Sequence, residues 1–251
     1  MISVIIKNEF KRVWYTPAAW VLFAVALLVL GLLLLILLNN FYREIQDKLV
    51  GLQQAPGLTD LVIAPYMFWV AIIGVLLVPL FAVRSSTEER NMGSSLLLSS
   101  APISASQIVF GKYLSLVLLA FIFTLICSSY ALVLGYFTPI DYGKTAAAFL
   151  GAFLFISSFN AAALLIANLT RIPIVATTSI IGLILVMVML FMSGSATASS
   201  SELFLYLSNL PHLTSLITGS VDTAHVAYFV LFTILFLVLC IRRIKFRNEN
   251  E

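Results

Sequence analysis

Of the 251 residues, 61% are hydrophobic and 10% are charged, and the mean hydropathy is +1.08. Soluble globular chains run at roughly 45 to 50% apolar and about 25% charged, so this composition excludes a water-soluble domain along with disordered, collagen-like and disulfide-scaffold chains. It marks a polytopic membrane protein.

In chain order, the first residues set Ile2, Ile5, Ile6, Phe10, Val13 and Trp14 at helical spacing against Ser3, Lys7, Asn8, Lys11 and Arg12. The pattern predicts an amphipathic interfacial helix over residues 1–16, with Ile6, Phe10 and Trp14 in the apolar layer and Lys7 and Lys11 toward anionic lipid. A frayed tail carrying topogenic charge is the plainer reading. Pro17 breaks this helix before the first span.

An ionised group near the bilayer centre costs about 2.5 to 3.5 kcal/mol, so charges bracket membrane spans. Six strongly apolar, charge-free intervals follow: 13–42, 61–83, 113–140, 145–170, 172–201 and 223–241. A helix needs roughly 20 residues to cross about 30 Å of hydrocarbon, and each interval holds one such helix. The expected fold is all-α with six transmembrane helices. The first span is too long for the core of a cleaved signal peptide.

With the N-terminus inside, cytoplasmic segments hold eleven of the fourteen Lys and Arg, against Arg43, Lys48 and Lys144 outside. This places both termini in the cytoplasm. The pI near 8.9 then reports topology and implies no nucleic acid. Glu44 and Lys48, spaced i, i+4, predict a helical extension of the first span beyond the membrane. Aromatic clusters near span ends (Trp14, Tyr15, Trp20; Phe41, Tyr42; Tyr66, Phe68, Trp69; Tyr136, Phe137; Tyr228, Phe229) predict an interfacial belt.

The fourth span is rich in Gly, Ala and Ser, which suits a packing helix, and its Asn160 predicts an interhelical hydrogen bond. No span interval holds Asp, Glu, Lys or Arg, unlike an ion-coupled transporter or a channel. Cys127 and Cys240 lie at different depths and are not expected to pair. Residues 203–221 carry Ser208, Asn209, Pro211, His212, Thr214 and Gly219 and predict a loop with short helical pieces.

Between spans two and three, residues 84–111 form a cytoplasmic loop. Ser86 to Glu89 reads as a capping box that starts a short helix, and Pro102 stops it. Ser104 to Gln107 forms a second box that launches the third span. The elbow carries Leu96, Leu97 and Leu98 on the water side, where either a partner domain covers them or they fold back onto the headgroups.

Glu89-Arg90-Asn91-Met92-Gly93-Ser94, Leu96-Leu97-Leu98, Pro102-Ile103-Ser104 and Ile108-Val109-Phe110-Gly111-Lys112 resemble the E-x-x-x-G-T, L-L, P-[IV]-S and G-K signature of ABC type 2 membrane permeases, with Ser94 for the usual Thr. Leu207, Ser208, His212, Gly219, Asp222, Thr223, Tyr228 and Phe229 resemble the gliding-motility (GldF-like) and nitrous-oxide-reductase-maturation (NosY-like) branch. The resemblance implies one permease domain over 1–251 in a bacterial inner membrane, with an extracytoplasmic loop at 194–222. It implies a coupling helix that docks on a separate cytoplasmic ABC ATPase through Glu88, Glu89, Arg90, Gly93, Leu96, Leu97 and Pro102. A second copy, or a similar permease, completes the membrane part. ATP and Mg belong to the ATPase, and this chain binds no cofactor.

Two near matches to a phosphate-binding loop, Gly143-Lys144-Thr145 and Gly111-Lys112, lack the required glycine or following Ser/Thr. Ser193, Ser195 and His212 are close in sequence but lack the G-x-S-x-G turn, so no catalytic residue is assigned. Two histidines without a thiolate cluster predict no metal site. The expected function is export of an amphiphilic, lipid-linked or peptide cargo. The alternative is a transmitter of ATP-driven motion to a periplasmic partner.

Overall fold

Long apolar segments leave the backbone no hydrogen-bonding partner but itself, and helix is how this chain meets that demand. The computed structural model describes residues 2–45, 57–91, 104–170, 172–196 and 201–250. In order, the elements are α1 (Ile2–Trp14), α2 (Pro17–Asn40), α3 (Ala64–Asn91), α4 (Ala105–Leu134), α5 (Tyr142–Leu169), α6 (Pro173–Ala196), α7 (Ser201–Leu207), α8 (Asn209–Ile217) and α9 (Thr223–Asn250). Single π-helical turns continue α2 through Phe41–Ile45 and lead into α3 through Thr59–Ile63. No strand occurs among the described residues. Helices α2, α3, α4, α5, α6 and α9 each contain a stretch long and apolar enough to cross a membrane. The end of the bundle with both termini is called basal below, the other end distal.

Local chemistry sets the helix ends. Pro17 occupies the start of α2, where its missing N–H costs nothing, and Tyr15 and Thr16 separate it from α1. Ser104 caps α4 as expected: Gln107 N donates to Ser104 Oγ at 3.4 Å, and Ser104 N donates to Gln107 Oε1 at 3.2 Å. Asp141 caps α5 by accepting from the backbone of Gly143 and Lys144 at 2.9 and 3.1 Å.

The Ser86–Glu89 box does not start a helix, because α3 runs unbroken through it to Asn91. A capping box needs an extended backbone at its first residue. Here the span is already helical, and adding a turn to it is far cheaper than nucleating a new helix. The expected loop at 84–111 therefore narrows. Its first residues are the last turns of α3, and 104–111 open α4. The third span likewise begins at Ala105, so Lys112 sits inside the candidate span, as do Asp60 and Lys144 in the first turns of theirs. The helical extension expected past the first span reaches Ile45, and Lys48 lies outside the described residues.

Helix α5 is the hub, packing against α3, α4, α6, α8 and α9. Two-thirds (67%) of its most apolar stretch is buried, against 11% for α6 and 17% for α2. Small residues allow this. A Cβ at Gly74 of α3 would overlap Ile156 of α5, and one at Gly151 would stand 2.8 Å from Leu216 of α8. Asn160 departs from expectation: it is fully buried, yet neither amide atom has a hydrogen-bond partner, and the same holds for Ser157 Oγ one turn away. Three belt assignments also change. Phe41, Tyr66 and Phe229 are core residues, and Tyr66 donates to the Cys127 carbonyl at 3.0 Å, whereas Trp14, Tyr15, Trp20, Tyr136 and Phe137 are exposed. Neither cysteine forms a disulfide, and both are buried.

Candidate functional site

At the basal end, α1 is clamped onto α4. Ile5 packs so closely on Gly111 that a Cβ there would lie 2.8 Å from it. One turn on, Glu9 pairs with Lys112 at 3.7 Å, both side chains about one-tenth exposed. The apolar face of α1 then turns the corner into α2. Phe10 stacks on Trp14 at 5.5 Å, Trp14 meets Trp20 edge-on at 4.5 Å, and Trp20 Nε1 donates to the Trp14 carbonyl at 2.7 Å.

The residues expected in the interfacial helix come together here. Ile6 and Phe10 are half-buried, Lys7 and Lys11 are exposed, and Trp14 is 42% exposed. All five line one groove against Leu118 of α4. Glu88, Glu89 and Arg90 belong to the last turns of α3 by backbone, with side chains outside the described set, and Gly93, Leu96, Leu97 and Pro102 lie outside the described residues. Sequence reading did not anticipate Glu9, whose only signal was an acid on the half-apolar face of a basic helix.

The distal end holds a polar cluster that the sequence reading split into separate residues. His212 Nδ1 lies 2.8 Å from His225 Nδ1, and His212 Nε2 lies 3.0 Å from the Tyr206 carbonyl. The carbonyl can only accept, so Nε2 carries the proton, Nδ1 carries the lone pair, and His225 donates to it. Tyr228 stacks on His212 at 4.1 Å, and its single hydroxyl proton is shared between the Leu207 carbonyl at 2.7 Å and Asn209 Oδ1 at 2.8 Å. Ser208 Oγ donates back to the Met187 carbonyl of α6 at 3.0 Å. Together these bonds fasten α7 and α8 to α6 and α9. Burial holds the His212 imidazole below its ordinary pKa; the Tyr206 carbonyl raises it and His225 lowers it further.

Other distal ties join α3 to α5. Lys144 Nζ donates to Asp60 Oδ1 at 2.7 Å, and Asp141 N donates to Thr59 Oγ1 at 3.0 Å. Gly219, at φ 95°, closes α8 over the Lys144 stem in a left-handed conformation that suits glycine. The lysines of both near-miss phosphate loops are thus engaged with carboxylates, Lys144 with Asp60 and Lys112 with Glu9. His212 has both ring nitrogens engaged, so neither is free to take a proton from a serine.

Six candidate spans, small-residue packing around one hub helix and a clamped amphipathic start define a multi-pass membrane protein. Residues 57–245, well over half of the chain, match the family described as ABC-2 family transporter protein, and the chain belongs to that family. Compared with curated proteins, it matches none. ABC-2 permeases are membrane subunits that lack nucleotide-binding domains and partner an ABC ATPase, so this chain is a permease subunit of an ABC transporter.

Proposed function

We propose that the chain is the membrane gate of an ATP-driven exporter, worked from its basal end by a separate ATPase seated on the segment between α3 and α4. The family match carries the reading, because it spans that segment and both flanking helices. The flanking helices are 28 and 30 residues long, or about 42 and 45 Å at 1.5 Å per residue, which exceeds about 30 Å of hydrocarbon. Either can carry a displacement of the segment across the membrane. In this reading Glu88, Glu89, Arg90, Leu96 and Leu97 meet the ATPase, Gly93 and Pro102 shape the turn, and ATP and Mg stay on the partner.

The charge asymmetry supports a cytoplasmic basal end, in a bacterial inner membrane. A second copy, or a similar permease, would cover the sparsely buried faces of α2 and α6 and complete the pathway. The charges in the described spans lie toward helix ends, which suits an amphiphilic, lipid-linked or peptide cargo better than a small ion. The distal sequence supports the gliding-motility and maturation branch.

Affinity purification of the full chain in mild detergent tests the coupling assignment. An ABC ATPase should copurify with the natural chain and be lost from Leu97→Asp, because a carboxylate would be forced into an apolar contact. Full retention by the variant removes this contact. ATP hydrolysis indifferent to solutes but raised by a periplasmic protein would favour a transmitter of motion instead.

A further inference from the structure

We propose that α1, α2 and α4 together hold one anionic phospholipid at the basal end, its phosphate on Lys7 and Lys11 and one acyl chain in the slot between α2 and α4. Two hollows carry the inference. The first, 480 Å³, is lined by Lys7 and Lys11 together with Ile6, Phe10 and Trp14 of α1 and Leu118 of α4. The second, 180 Å³, is walled by Phe23, Ala24 and Leu27 of α2 and Leu119, Ile122 and Ile126 of α4. Trp14 borders both, so the basic hollow and the apolar slot meet at that ring. The bond from Trp20 and the stack on Phe10 hold the ring in place.

Charge and length choose the occupant. Lys7 and Lys11 are exposed, one helical turn apart, and neither is ion-paired among the described residues. Ammonium groups so placed fit one phosphodiester without a balancing cation. The slot runs from Ala19 to Leu27, about 12 Å along α2, most of the roughly 15 Å of one leaflet. A soluble anion has no use for such a slot, nor has diffuse attraction of a basic helix to a charged surface. A phospholipid uses both halves. The inference rests on α1, α2 and α4 and stands apart from the transport reading.

Native mass spectrometry tests it on the full chain, reconstituted in vesicles of equal phosphatidylglycerol and phosphatidylcholine and extracted in mild detergent. One phosphatidylglycerol per chain should remain, favoured over phosphatidylcholine by about fivefold or more. The Lys7→Gln/Lys11→Gln double variant and Ala24→Phe should each lose it. Ala24 is exposed on α2, so the added ring enters the slot and leaves the core alone, whereas Val29→Phe, on exposed α2 surface outside the slot, should retain the lipid. Equal retention of both lipids, or of neither, overturns the proposal. So does undiminished retention by Ala24→Phe, which would mean surface charge alone, or equal loss in Val29→Phe, which would mean a general effect of bulk on α2.

Discussion

His212 and His225 show how thirteen residues of separation can conceal a unit. His212 alone reads as a loop residue and His225 as part of the first turn of the sixth span. Their pairing depends on the turn at Gly219, and a pattern scan has no means of locating the Tyr206 carbonyl that fixes the tautomer. The consequence is a pH dependence with a definite sign. The folded pKa of His212 is depressed, so the unfolded chain binds the proton more readily, and stability falls as pH drops below the ordinary value of 6.5. Protonated Nδ1 would also face the His225 N–H. Thermal unfolding in detergent should therefore show a midpoint that is flat from pH 8 to 7 and declines below about 6.5, and His212→Gln should flatten that decline. Asn160 supports a second prediction. With both amide atoms unpaired in full burial, Asn160→Leu should raise the unfolding free energy by about 1 to 3 kcal/mol. A lowered midpoint would show that the amide has a use in the folded chain.

Among the elements, what could be read from local chemistry was legible and what depended on a distant partner was not. The spans follow from charge spacing, Pro17 from its ring and the α4 start from its capping box. Lys112 misplaced the third boundary because Glu9, 103 residues earlier, neutralises it inside the helix. Tyr66 passed for a belt residue because its acceptor is a backbone carbonyl on α4. Ser86 to Glu89 has the composition of a helix start, but the span behind it was already helical. The clamp gives an element-scale prediction. Glu9→Lys should set two cations against each other and raise hydrogen exchange across α1, lowering its opening free energy by about 3 kcal/mol, whereas the exchanged pair Glu9→Lys/Lys112→Glu should restore protection. At the α3–α5 contact, Gly74→Val should cost about 1 to 3 kcal/mol in thermal unfolding because Ile156 already fills the space.

Across the whole molecule the two ends differ in kind. The distal end is stitched by short polar bonds between helices: Asp60 to Lys144, Thr59 to Asp141, Ser208 to Met187 and Tyr228 to Leu207. The basal end joins the amphipathic α1 to the first turns of α4, next to the segment where an ATPase is proposed to act. A load applied there would reach α1 through Glu9 and Lys112 and the distal stitches through α3. The chain itself supplies membrane helices, and the family to which it belongs takes its energy from a partner. The most direct test is reconstitution of the purified chain in sealed vesicles, with and without its copurified ATPase, following release of a fluorescent amphiphile on addition of ATP. The account predicts release only when chain, ATPase and ATP are all present; rapid release by the chain alone would contradict it.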